Sequence, residues 1–258
     1  MILIYGIICF IATFIGSIVG IGGGFLTKPL FDLLNYHDIQ TISILAMFSI
    51  LTAALISCFR RREEIKALDK NIILLLVVGS FVGGQLGSTF LDYVLNVEQV
   101  NAHLIHNIQS VGIISILLLS IYMRFIYKSD SLDVNNRVII FCLVIFFACL
   151  SSFLTIGGGI LNIVILTVLM NIDQKTCSHY SIIAIVATQF SILIRTILFE
   201  NIFDFDAEFI PMIIFASLMG GLIGTQVLKL VDTKYVSNMF LLVLLCSLFI
   251  NIMNIFVL

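Results

Sequence analysis

A chain of 258 residues that is 60% hydrophobic, 11% charged and carries a net charge of −2 cannot cover a water-soluble surface, because soluble domains hold about 25% charged residues. A mean hydropathy of +1.19 points the same way. No basic tract offers a surface for nucleic acid, so the expected partner of this chain is the lipid bilayer.

Long apolar segments cover 2–34, 39–59, 72–95, 104–127, 138–170, 176–199, 208–231 and 236–257. Each is long enough to cross a hydrocarbon core about 30 Å thick. Inside lipid every backbone N–H and C=O needs an internal partner, so spans are helices or closed barrels. Continuous runs without alternation predict helices, and the expected fold class is an all-α integral membrane protein. The first run lacks a basic leader and a small-residue cleavage site, which predicts a first span rather than a signal peptide.

The polar stretch 128–137 (KSDSLDVNNR) divides the segments four and four. The expected organisation is a first repeat over 1–127, a cytoplasmic linker over 128–137 and a second repeat over 138–258. Internal matches support the division. GIGGGFLTKPLFDLL at 20–34 resembles TIGGGILNIVILTVL at 155–169, an offset of 135. GSFVGGQLGSTFL at 79–91 resembles ASLMGGLIGTQVL at 216–228, an offset of 137. Two matches at nearly one offset indicate duplication.

The segments 2–34 and 138–170 are each 33 residues long and each holds three consecutive glycines. A continuous helix of that length would measure roughly 50 Å, too long for one upright pass. Two full passes would need about 40 residues. A helix that enters, turns at its glycines and returns fits between these limits; a single tilted pass is the alternative. Arg60, Arg61, Arg62, Lys66, Lys70, Arg124, Lys128 and Arg137 mark the cytoplasmic side. The re-entrant reading adds Lys175, Lys229 and Lys234 to that side, whereas the single-pass reading puts them outside. It also makes the two halves inverted repeats, each a broken glycine-rich helix plus three spans, the plan of many secondary transporters.

Gly22, Gly23 and Gly24, with Gly157, Gly158 and Gly159, carry the strongest functional signal. Each glycine costs about 1 kcal/mol in a helix interior relative to alanine, so their repetition in a bilayer needs a reason. They permit a tight turn and a close approach to the backbone. Thr27 and Asn162 occupy equivalent positions beyond the turns and are N-cap residue types. Pro29 is expected in or near the first helical turn. Helix N-termini at membrane depth attract anions, so the candidate substrate-binding residues are these six glycines with Thr27, Lys28, Pro29 and Asn162. Lys28 either holds an anion or snorkels to the interface.

Other features have plainer readings. The stripes Gly79, Gly83, Gly87 and Ala216, Gly220, Gly224 predict close helix packing. Arg60 and Arg195 read as interface anchors, and Asp32 and Asp92 as weak candidates for proton coupling. Gln85, His106, Asn107, Gln109, His179 and Gln189 predict hydrogen bonds between helices. Cys9, Cys58, Cys142, Cys149, Cys177 and Cys246 lack metal spacing and read as small apolar packing residues. No catalytic motif, metal or cofactor is expected.

The motif GIGGGFLTKPL, its second copy TIGGGIL and the two GGxxG spans resemble the TauE/SafE sulfite exporter family, within the 4-toluene sulfonate uptake permease superfamily. The resemblance covers essentially the whole chain. It implies a membrane transporter that exports sulfite, an organosulfonate or a related small sulfur anion across the cytoplasmic membrane. It points to Gly22, Gly23, Gly24, Pro29, Gly157, Gly158 and Gly159. The second copy departs from the motif, with Val164 in place of the proline and Thr155 in place of the leading glycine. A carrier for another solute or cation, a non-transport membrane subunit and a homo-oligomer all stay open at this point.

Overall fold

A computed structural model describes residues 1–96, 102–126, 136–170, 172–199 and 206–257. The elements are α1 (Ile2–Val19), α2 (Gly24–Leu34), α3 (Ile39–Arg60), α4 (Arg62–Lys66), α5 (Lys70–Asn96), α6 (Ala102–Ile126), α7 (Arg137–Phe153), α8 (Gly159–Met170), α9 (Gln174–Phe199), a 3-10 turn (Ala207–Phe209), α10 (Ile210–Leu230) and α11 (Thr233–Val257). No strand occurs among the described residues. Seven of the helices there are long and apolar enough to cross a membrane. The fold is that of an all-α integral membrane protein. Most of the linker 128–137 lies outside the described residues.

Both 33-residue segments are broken helices that fold back. The first breaks between α1 and α2, where Gly20, Gly22 and Gly23 take φ of 87°, 72° and 84°. Beyond the break Gly23 lies against α1, and a β-carbon there would sit 2.9 Å from the carbonyl oxygen of Ala12. Further on, the Phe31 ring reaches Tyr5 near the start of α1, with centroids 4.3 Å apart. Entry and exit therefore lie at one end of the bundle. The second break, between α7 and α8, uses Thr155, Gly157 and Gly158 at φ of 56°, 80° and 76°. Arg137 and Ile140 of α7 line one cavity together with Leu166 and Met170 of α8, so this segment also doubles back. A single tilted pass is excluded for both.

The hairpins open toward opposite ends of the bundle. The mouth of the first lies beside His37, which pairs with Asp206 at 2.9 Å. The mouth of the second lies beside Asp69, across the length of α3. Each glycine stripe then packs against the long arm of the other half's hairpin. A β-carbon at Gly83 of α5 would come within 2.5 Å of the Ile145 carbonyl oxygen of α7, and one at Gly220 of α10 within 2.5 Å of the Phe10 oxygen of α1. The stripes thus serve backbone contact, as small residues at this spacing do. α2 packs on α11, α8 packs on α6, and α3 lies against α9.

Candidate functional site

The two glycine turns touch each other in the middle of the bundle. A β-carbon on Gly159 would lie 2.5 Å from the Cα of Ile21, and one on Gly24 would lie 2.8 Å from the carbonyl oxygen of Ile156. Ile50 of α3 covers both turns, resting against Gly22, Gly24 and Gly157. Residues 16–29 and 156–163 are buried, Val19, Ile21, Ile156 and Ile160 at 0% exposure. Nothing but glycine fits at the crossing.

Helix breaking frees backbone donors. Gly20 and Ile21 amides still bond to the Gly16 carbonyl at 2.8 and 3.0 Å, and the next paired amides are Leu26 and Thr27, both to Gly23 at 3.0 Å. The amides of Gly22, Gly23, Gly24 and Phe25 thus have no acceptor among the described residues. In the second turn Ile156 bonds to Ser151 at 3.0 Å and Asn162 to Gly158 at 3.1 Å. The amides of Gly157, Gly158 and Gly159 between them have none. Unpaired N–H groups at two neighbouring helix starts, each with a partial positive charge, are a feature that attracts anions.

Three expectations about the flanking residues need correction. Thr27 and Asn162 do not cap the helices, because α2 and α8 begin three residues earlier, at Gly24 and Gly159. The N-cap of α2 is Gly23, and Thr27 instead donates its hydroxyl to the Gly23 carbonyl at 3.1 Å. Pro29 sits inside α2 rather than in its first turn. Its missing N–H would leave the Phe25 carbonyl without its intrahelical donor, and the Ser247 hydroxyl of α11 donates there at 2.9 Å. Asn254 Nδ2 donates to the Pro29 carbonyl at 2.9 Å. Lys28 does not snorkel: it is 1% exposed and its Nζ pairs with Asp32 Oδ2 at 2.7 Å.

A narrow cavity of about 40 Å³ runs from the crossing between α3, α5, α7 and α9 toward the end where α3 begins. Ile50 and Thr155 line its inner part, and Ser43, Ser88, Ser152, Gln189 and Thr196 supply polar groups. Gln189 also approaches Gly157, its Nε2 lying 3.5 Å from the position a β-carbon would take. Asp92 and Arg195 line the cavity as an ion pair joining α5 to α9, and Arg195 Nε donates to Thr89 Oγ1 at 3.1 Å. Arg195 is therefore held between helices. Arg60 is exposed, as an anchor would be.

One residue escaped the sequence reading. Arg61 is 1% exposed, although its neighbours Arg60 and Arg62 face outward. Its guanidinium reaches the Ser17 carbonyl near the end of α1 and the Ser178 hydroxyl of α9 at 3.3 Å. A cation at a helix C-terminus complements the dipole. Three adjacent arginines give no sign of which one turns inward.

Broken helices that touch in the middle of a bundle of membrane-length helices define a multi-pass membrane protein. The sulfite exporter TauE/SafE family model matches residues 5–250. The chain belongs to that family, and so to a family of membrane transporters. No curated protein and no solved structure matches the chain.

Proposed function

We propose that this protein carries a small sulfur-containing anion, sulfite or an organosulfonate, across the cytoplasmic membrane by alternating access, in the outward direction. The single observation that supports the substrate charge is the meeting of two glycine turns whose amides have no acceptor among the described residues. Such donors bind an anion without requiring a full positive charge beside it. The duplicated sequence and hairpins that open toward opposite ends support an inverted repeat, in which exposing one hairpin or the other would alternate access. Outward movement of an anion is favoured by an inside-negative potential by roughly 2.3 kcal/mol per charge per 100 mV. Substrate contacts are assigned to Gly22, Gly23, Gly24, Gly157, Gly158 and Gly159; Thr27 and Asn162 shape the helix starts behind them.

Sulfite efflux from loaded proteoliposomes tests the reading. The wild-type protein is expected to release sulfite faster under an inside-negative potential, and Gly23→Leu is expected to release none. Equal rates for the two proteins, or no flux of sulfite, thiosulfate or a taurine-like sulfonate through the wild type, would overturn it.

A further inference from the structure

Charged side chains at membrane depth are costly and mark function more often than packing. The first hairpin holds a cluster of them that the glycine crossing does not use. Lys28 and Asp32 face each other at 2.7 Å, 1% and 2% exposed. His106, from α6, brings its Nε2 to 3.6 Å from the same Asp32 oxygen. Among the described residues the other Asp32 oxygen, Oδ1, has no hydrogen-bond partner, and both His106 ring nitrogens lack one although the ring is buried. A pair built only to hold helices together would use these atoms. Instead a carboxylate and an imidazole stand side by side with bonding capacity to spare.

Among the described residues the surroundings supply few competing groups. α1 contributes Tyr5, close enough to sense the Asp32 charge, and buried Cys9. α11 faces α2 with Asn254 and Ser247, neither of which titrates. On α3 the titratable side chains are Cys58 and Arg60, both at its far end. A hydrogen-bonded chain also leads inward from solvent. Asp206 is 63% exposed and pairs with His37 Nε2 at 2.9 Å, and His37 Nδ1 bonds to the Tyr5 hydroxyl at 2.8 Å. The Tyr5 ring packs at a tilt against Phe31, the residue before Asp32.

We propose that Asp32 and His106 form a proton-binding site in the first hairpin, and that its occupancy is linked to anion binding at the glycine crossing. The second clause rests on the transport reading; the first does not. With Lys28 charged, Asp32 ionised and His106 neutral, the cluster carries no net charge. One proton delivered from water adds to His106 Nε2 or to an Asp32 oxygen, no other bond changes, and the cluster becomes singly positive. The proton belongs to the pair rather than to either residue. Asp32 lies eight residues along α2 from Gly24, roughly 12 Å by helical rise. At an effective dielectric of about 20, one added charge at that distance tightens binding of a monovalent anion about tenfold.

Infrared difference spectra of the protein in lipid vesicles, between pH 8 and pH 5, test the site directly. The wild type is expected to show a protonation signal that disappears in both His106→Gln and Asp32→Asn. His106→Gln keeps the Lys28–Asp32 pair, so it reports even if Asp32→Asn does not fold. A His106→Gln spectrum identical to the wild type would overturn the site. Methanesulfonate, whose charge is constant over this range, tests the linkage: wild-type affinity should rise about tenfold on acidification, and His106→Gln affinity should not change. Equal pH dependence in both would overturn the linkage. Absence of methanesulfonate binding at either pH, with the infrared signal intact, would sink the linkage and count against the anion reading while the proton site stands.

Discussion

The two hairpins share a backbone plan and differ in what they bury. Both break at glycines with positive φ and both lose the amide partners of the turn. The first then carries Lys28, Pro29 and Asp32 in its returning arm, while the equivalent positions of the second are Ile163, Val164 and Thr167. The first needs help from outside: Ser247 and Asn254 of α11 donate to the carbonyls of Phe25 and Pro29. The returning arm of the second is nearly all apolar and leans on Ser181, whose hydroxyl donates to the Gly159 carbonyl at 3.0 Å. The turn is thus common to both halves, and ionisable chemistry is confined to one. The two hairpins share the part made of backbone and differ in their side chains.

The largest test breaks the common part. Gly159→Val would drive its side chain into the Ile21 backbone, which cannot yield as a flexible side chain would. Overpacking costs about 1–3 kcal/mol in ordinary cores and occasionally more; here the expected outcome is loss of the folded protein on size-exclusion chromatography. Gly24→Val should fail equally, since its β-carbon meets Ile156 of the other turn. If one turn tolerates valine and the other does not, the two are not equivalent.

Asp32→Ala sharpens the asymmetry. It leaves Lys28 buried without its carboxylate, and breaking a buried pair in this way costs about 3–5 kcal/mol. Thr167→Ala, at the matching place in the second hairpin, should cost less than about 1 kcal/mol. Thermal unfolding in detergent measures both, and similar losses would show that the ion pair is not what sets the first hairpin apart. Ser247→Ala is expected to cost about 1–3 kcal/mol by leaving the Phe25 carbonyl unsatisfied. The smallest effect belongs to Glu63→Gln on the surface, where the pairs with Arg62 and Lys66 are exposed; a change within about 0.5 kcal/mol is expected there.

Much of this contrast was readable before the structure, and the missed parts have physical reasons. The glycine triplets announced the breaks because nothing in a bilayer compensates three such residues in a continuous helix. Lys28 and Asp32 stand four residues apart, the spacing at which helical side chains meet; that signal was present, and the pairing could have been drawn from it. Thr27 and Asn162 are cap residue types, but each returning helix starts at the last glycine of its triplet, Gly24 and Gly159. The usual preference of proline points to a helix start, and at its interior place donors on α11, more than 200 residues away, reach the carbonyls of Phe25 and Pro29.

By itself the sequence determined the helical membrane class and pointed to a break in each glycine-rich segment. These follow from composition and short-range pattern, which act along the chain. The tertiary structure alone decided that the glycine turns touch, that each stripe packs on the other half's hairpin, that Arg61 turns inward between exposed neighbours, and that His106 meets Asp32. Those are contacts between segments far apart in sequence, settled by which surfaces can approach closely enough to exclude lipid and satisfy one another's polar groups.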